Sequence, residues 1–166
     1  MKNLDKYVSD SYKLSLDECF GYWIHNGVWY SDEDLTFDEA KEVFFLTLKK
    51  LLDDNKVVLF APYSMFNENT SQWDKTITIR KYGDTVWGLP SKEIIQYMRD
   101  VFPKDIEKEN DGKLIDFWFS EECPQIGWVD QKQEKSLFHN NPALKQQSLA
   151  LFSILQWKKW DAILLS

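Results

Sequence analysis

Two cysteines and two histidines are the side chains best suited to nucleophilic or metal chemistry in this 166-residue chain. Cys19 lies six residues before His25, and on a helix that spacing separates the two side chains, because helical neighbours are three or four residues apart. The second candidate pair is Cys123 with His139, but Cys123 precedes a proline in a predicted turn, which is an ordinary structural position. A buried, inert cysteine is the commoner role for such residues. We therefore expect no catalytic residue among them.

Metal ions and nucleotide cofactors need ligand patterns that the sequence does not contain. No HExxH or CxxC spacing provides metal ligands. The six glycines form neither GxGxxG nor the GxxxxGK loop, whose backbone N–H groups cradle phosphates. We expect no metal and no cofactor.

The densest group of ionisable side chains is an acidic segment with a single lysine, Lys41. Its carboxylates belong to Asp32, Glu33, Asp34, Asp38, Glu39 and Glu42. Asp38 and Glu42 lie four apart, so on a helix they share a face and repel each other by a few tenths of a kcal/mol. A basic partner would compensate this repulsion, which predicts a docking surface. The alternative is a solvated helix start that keeps the protein soluble.

The distribution of charge favours the same class of partner. The net charge is −7, and residues 1–54 hold twelve acids against six lysines. Such a field repels nucleic acid and anionic membranes and attracts basic proteins. We expect no nucleic-acid and no membrane partner.

Aromatic residues are abundant, with eight Trp, seven Tyr and eleven Phe. Eight tryptophans exceed what one core of this size needs, and Trp is favoured at protein interfaces. Trp73 and Trp87 lie near predicted loops and are candidate partner contacts. Alternatively, the tryptophans fill an aromatic-rich core.

Local patterns predict the elements that position these side chains. Thr36-Phe37-Asp38-Glu39 is typical of a capping box that begins a long helix, in which apolar residues recur every three or four positions. A second capping box at Ser15–Glu18 predicts another helix, which Asn26-Gly27 would end. Further helices are expected at 4–12, from Ser91 to Phe102, and from Pro142 onward, with a strand at 157–165 as the alternative for the end of the chain. Residues 67–74 are expected to form a loop.

Strands are predicted at 56–61, 76–82, 114–120 and 126–129, the last two paired through a turn at Cys123-Pro124. The order of elements favours an α+β fold with a mostly antiparallel sheet of about four or five strands covered by helices. Without a repeat or a low-complexity linker, residues 1–166 are expected to form a single domain.

The sequence also favours a reducing compartment. Two distant cysteines suit the cytoplasm, the N-terminus lacks an apolar signal core, and no apolar run approaches about 18 residues. We expect a cytoplasmic protein.

A resemblance to a protein family covers about half of the chain. It is carried by seven short runs, each quoted as it stands here: Thr36-Phe37-Asp38-Glu39-Ala40, Leu46-Thr47-Leu48-Lys49-Lys50-Leu51-Leu52, Val57-Val58-Leu59-Phe60, Trp87-Gly88-Leu89-Pro90-Ser91, Val101-Phe102-Pro103, Phe117-Trp118-Phe119 and Gly127-Trp128-Val129. With these runs the chain resembles small bacterial proteins that are encoded beside polymorphic or contact-dependent growth inhibition toxins. The resemblance implies an immunity protein, which binds and neutralises a cognate toxin domain such as a nuclease.

Two other classes of function remain open from the residues alone. One is a small enzyme or ligand-binding domain with an aromatic-lined pocket. The other is a structural adaptor within a larger assembly. On the immunity hypothesis the toxin-binding residues are the six acids of the 32–42 segment with Trp73 and Trp87.

Overall fold

A computed structural model describes residues 3–18, 24–79, 85–130 and 135–136. The helices are α1 (Asp5–Glu18), α2 (Ile24–Val28), α3 (Phe37–Asp53), α4 (Ser91–Val101) and α5 (Gly112–Trp118), and a 3-10 turn covers Tyr63–Met65. The strands are β1 (Val57–Phe60), β2 (Phe66–Asn67), β3 (Gln72–Trp73), β4 (Ile77–Ile79), β5 (Thr85–Trp87), β6 (Gln125–Asp130) and β7 (Lys135–Ser136). The helix predicted from Pro142 onward lies outside the described residues, as do residues 80–82 of the strand predicted at 76–82.

Helix α3 is the central helix, and its predicted start is confirmed. The Thr36 hydroxyl accepts the backbone N–H of Glu39, and the Glu39 carboxylate accepts the backbone N–H of Thr36. This capping box satisfies two donors that a helix start leaves without an intrahelical partner. Along the helix the buried residues recur at three- and four-residue spacing: Ala40, Val43, Phe44, Phe45, Thr47, Leu48 and Leu51.

The prediction of a second capping box at Ser15 is wrong. Helix α1 runs without interruption to Glu18, and the Ser15 hydroxyl donates to the carbonyl of Ser11 one turn earlier, at 2.8 Å. A serine inside a helix satisfies its hydroxyl in this way instead of capping a new one. Asn26 and Gly27 lie within α2 and do not end it.

The predicted α+β class is confirmed. The main sheet has the order β4-β5-β1-β6-β7, with every neighbouring pair antiparallel, and β2 pairs with β3 in a separate ribbon. The centre of the sheet is the β1–β6 pair, where Val57 faces Trp128 and Leu59 faces Ile126. The ribbon occupies part of the segment that was expected to be a loop, and β5 was not predicted.

Helix α4 is confirmed, although its predicted cap is wrong. Ile94, Ile95 and Met98 are buried, as the spacing predicts. Pro90 occupies the N-cap position, and Ser91 is the first helical residue. The Ser91 hydroxyl instead donates to the Asp53 carboxylate at the end of α3, so it ties two helices together.

Residues 112–118 form α5, and the prediction of a strand at 114–120 is wrong. The run Leu-Ile-Asp-Phe-Trp-Phe is rich in residues with high β-propensity, but such propensity depends on context. Asp111 caps the helix by accepting the backbone N–H of Lys113 at 2.8 Å. The buried residues Leu114, Phe117 and Trp118 follow helical spacing and face the core. Strand β6 therefore pairs with β1 and β7 instead of with this segment.

The helices cover one face of the sheet with an aromatic core. Ring centroids of Trp118 lie 5.1–5.8 Å from those of Phe117, Phe44, Trp29 and Phe102. The main core includes Val57 and Leu59 from β1. A smaller cluster on alternate strand positions joins Val58, Val86, Val129 and Phe60.

Candidate functional site

The loop between α2 and α3 presents three of the predicted carboxylates. The Asp32 side chain accepts the backbone N–H of Asp34 at 2.9 Å, and the Asp32 carbonyl accepts the N–H of Leu35 at 2.9 Å. These bonds form a tight turn of the kind that aspartate favours. Asp32 is half-buried, whereas Glu33 and Asp34 are exposed. The turn thus holds Glu33 and Asp34 at the surface.

The three predicted carboxylates on α3 are engaged by the chain itself. Glu39 belongs to the capping box, Asp38 forms an ion pair with Lys41, and Glu42 binds Arg99 of α4 through two hydrogen bonds of 2.7 Å. The expected repulsion between Asp38 and Glu42 is therefore offset by two cations. The Asp38 side chain still has 82% of its surface exposed, so it remains accessible to a partner.

Trp73 and Trp87 were predicted to contact a partner, and for Trp87 this prediction is wrong. Only 4% of Trp87 is exposed, because β5 turns this ring toward the helices, where it packs edge-on against Tyr97 at 4.7 Å between centroids. A partner cannot reach it. Trp73 is half-buried in the β2–β3 ribbon, 5.0 Å from the ring of Phe66, and its contact with a partner stays a prediction.

A second acidic loop, whose residues were not among the predicted binding residues, lies beside the first. The Ser31 hydroxyl donates to the Glu109 carboxylate and so joins the loop before α3 to the loop before α5. We call residues 31–34 and 105–111 the acidic surface. Its acids are Asp32, Glu33, Asp34, Asp105, Glu107, Glu109 and Asp111, and its basic residue is Lys108. The composition of the 105–111 loop was the available signal, since four of its seven residues are acidic.

Tyr30, next to the acidic surface in the sequence, has a pKa that is affected by the nearby negative charges. The pKa of Tyr30 is raised, first by burial, then by the negative charges of Asp32 and Asp10 and by a hydrogen bond with Asp32. Asp10 belongs to α1, so a third element contributes to the same negative field. Each of these effects stabilises the protonated phenol.

Helix α5 adds apolar side chains next to the acidic surface. It begins directly after Asp111; its Ile115 is 46% exposed, and Phe119, the C-cap residue directly after the helix, is 48% exposed. The Phe119 ring meets His25 edge-on at 5.6 Å, and His25 stacks on Trp118 at 5.4 Å. Burial among these rings lowers the pKa of His25. The surface thus combines exposed carboxylates with two half-exposed apolar groups.

The Cys123 thiol is poorly suited to nucleophilic chemistry. Cys123 is 8% exposed, and burial raises the pKa of its thiol, so the reactive thiolate is disfavoured. Cys19 and His139, the other members of the two Cys–His pairs considered above, lie outside the described residues. Within residues 3–18, 24–79, 85–130 and 135–136, no group of three or more His, Cys, Asp or Glu side chains is placed to hold a metal ion.

The helices in the described part of the chain all lack the length and hydrophobicity needed to cross a bilayer.

No protein-family model matches the chain, and no curated protein matches it. A solved structure that it resembles is that of an uncharacterised protein conserved in bacteria, from Neisseria meningitidis. The two are 19% identical with a TM-score of 0.48 over 81% of this chain and 91% of that chain.

Proposed function

We propose that this chain is a cytoplasmic immunity protein that binds and neutralises a basic toxin domain. The observation that carries the proposal is the acidic surface, where two loops joined by the Ser31–Glu109 hydrogen bond bring seven carboxylates together with one lysine. Toxin domains that cleave nucleic acid need positive charge to attract phosphates. A negative surface on the inhibitor is attracted to the same positive surface of the toxin.

The expected contribution of the acidic surface is speed of capture. Complementary charge raises association rates toward about 10⁸–10⁹ M⁻¹s⁻¹ at low salt, and added salt removes much of the gain. Glu33, Asp34 and Asp38 are exposed and suit this role. Glu39 and Glu42 stabilise the fold through Thr36 and Arg99, so their effect on a partner is secondary.

The first test is protection of cells. If a secreted protein is encoded next to this chain, its C-terminal domain is expressed with and without the chain, and survival is measured. We expect survival only with the chain. Growth arrest in both cases, or a neighbouring domain without toxicity, would contradict the proposal.

The second test measures association rates with that same toxin domain by stopped flow. We expect reversal of charge at Glu33 and Asp34 to slow association about tenfold at low salt, because the field at the entry site is weakened. The difference should shrink at 0.5 M NaCl, where the Debye length is short.

The control for net charge is Glu93→Lys, compared with Glu33→Lys alone, because each replaces one carboxylate with one ammonium group. Glu93 is exposed in the first turn of α4, and Ser91 of that turn contacts the C-terminal end of α3. The acidic surface adjoins the other end of α3, which has 17 residues and is therefore about 25 Å long. We expect Glu93→Lys to associate at nearly the wild-type rate. Equal slowing by both changes would show only a general effect of net charge.

A further inference from the structure

We infer that the toxin domain docks with an apolar group formed by Ile115 on the outward face of α5 and by Phe119, the C-cap residue of that helix. This inference rests on the proposed function and adds to it the site where the two proteins would exclude water. The carboxylates of the acidic surface then form the rim of the interface on one side of that apolar centre.

The geometry of α5 places the two apolar side chains beside the acidic loop. Ile115 and Phe119 are four residues apart, so they lie on one face of the helix and its end, and each is about half exposed. Ile115 follows Asp111 by four residues, which is about 6 Å along a helix axis. An apolar group that inserts at Ile115 therefore lies within reach of the acidic surface.

The opposite side of α5 fixes the helix to the core. Leu114 is 1% exposed, Phe117 5% and Trp118 6%. Trp118 stacks on His25 and meets Trp29 edge-on, so α5 is anchored to α2 and to the chain that follows it. Because this support is present before binding, the outward face needs little ordering when a partner arrives, and preorganisation favours affinity.

Charge identifies the kind of partner. Four acids lie within α5 or flank it, namely Asp111, Asp116, Glu121 and Glu122. Lys113 is the one basic residue from 111 to 122. A second copy of this chain would bring like charges together across such a face, and like charges in an interface disfavour the pairing. A basic domain would instead place its cations opposite these carboxylates. The occupant is therefore a basic protein domain with an exposed apolar side chain.

The two parts of the surface should act on different rate constants. Charged groups at a rim change the association rate, while desolvated apolar anchors change the dissociation rate. Aromatic anchors near the centre of an interface carry much of the binding energy. Phe119 is thus expected to govern how long the complex lasts, and Glu33 and Asp34 how fast it forms.

The test compares three single variants of the full chain with the toxin domain used above, by surface plasmon resonance. Phe119→Ser and Ile115→Ser should each raise the Kd about 30-fold or more through faster dissociation, with little change in association. Leu14→Ser is the control, because it removes from α1 an apolar side chain of similar exposure, 43%. It should bind as the wild type does.

Thermal unfolding of each variant verifies folding, and Ile115→Ser keeps the test decisive if loss of the Phe119–His25 contact destabilises the chain. Wild-type affinity in both α5 variants would overturn the inference and leave the proposed function standing. Failure of the wild-type chain to bind the toxin domain would overturn both. Light scattering that shows a dimer of the wild type and a monomer of Ile115→Ser would assign this face to self-association and overturn the inference.

Discussion

The ion pair between Glu42 and Arg99 joins α3 to α4, and its removal should lower the free energy of unfolding. The two groups form paired hydrogen bonds of 2.7 Å, with 38% of the Glu42 side chain and 34% of the Arg99 side chain exposed. Arg99 also lies 4.4 Å from the ring centre of Phe45. Three variants test the contribution of this ion pair: Glu42→Ala, Arg99→Ala and the double variant.

The expected magnitudes follow from this geometry. Two charges 4 Å apart near a surface attract by about 4 kcal/mol, but desolvation and lost side-chain entropy reduce measured values for exposed pairs to about 1 kcal/mol or less. The paired geometry places Glu42–Arg99 at the upper end, so Glu42→Ala should cost about 1 kcal/mol. Arg99→Ala also loses its contact with Phe45 and should cost about 2 kcal/mol. The double variant should then cost about 2 kcal/mol, which leaves a coupling of about 1 kcal/mol.

Urea unfolding followed by tryptophan fluorescence measures each free energy, and the double-mutant cycle isolates the coupling. The matched control is the Asp38–Lys41 pair on α3, where 82% of the Asp38 side chain is exposed and the coupling should be only about 0.3 kcal/mol. In 1 M NaCl both couplings should fall. Additive effects of Glu42→Ala and Arg99→Ala would contradict this prediction and would return Glu42 to the set of carboxylates available to a partner.

Two further predictions concern buried groups. The pKa of His25 is lowered by burial, so below its unfolded value of about 6.5 the unfolded state binds a proton that the folded state does not. The stability of the wild type relative to His25→Gln should therefore fall between pH 7.5 and 5.5 in urea unfolding, and a constant difference would contradict this. Burial also raises the pKa of Cys123, so in a Cys19→Ser background iodoacetamide at pH 8 should leave the native protein unmodified and alkylate it only in 6 M urea, as read by mass spectrometry. Rapid alkylation of the native protein would show a reactive thiol.

The elements with strong local signals were predictable. The start of α3 was recognised from Thr36 and Glu39 because a capping box is made by residues three apart in the chain. Strands β1 and β6 were recognised from short runs of apolar residues. In each case the information lies within a few neighbouring residues, and local structure depends on those neighbours first.

The candidate site was only partly predictable. The exposed position of Glu33 and Asp34 agrees with the sequence reading. Trp87 lies near a loop in the sequence, yet its strand turns it into the core, and no local pattern distinguishes these outcomes. The charged 105–111 loop was not expected to belong to the docking surface, because charge was averaged over the whole C-terminal two thirds of the chain, where basic residues elsewhere offset its acids.

The class of fold, the excess of negative charge and the position of the longest helix were predictable, because net charge follows from composition and because helix and strand patterns depend on neighbours along the chain. Tertiary contacts determine which charged side chains remain accessible to a partner. Glu42 meets Arg99 across 57 residues, and Ser31 meets Glu109 across 78. Tertiary structure also made 112–118 a helix, since burial of Leu114, Phe117 and Trp118 against the core outweighed their preference for a strand. Contacts between distant residues select among locally acceptable alternatives, and here they selected the helix that carries Ile115.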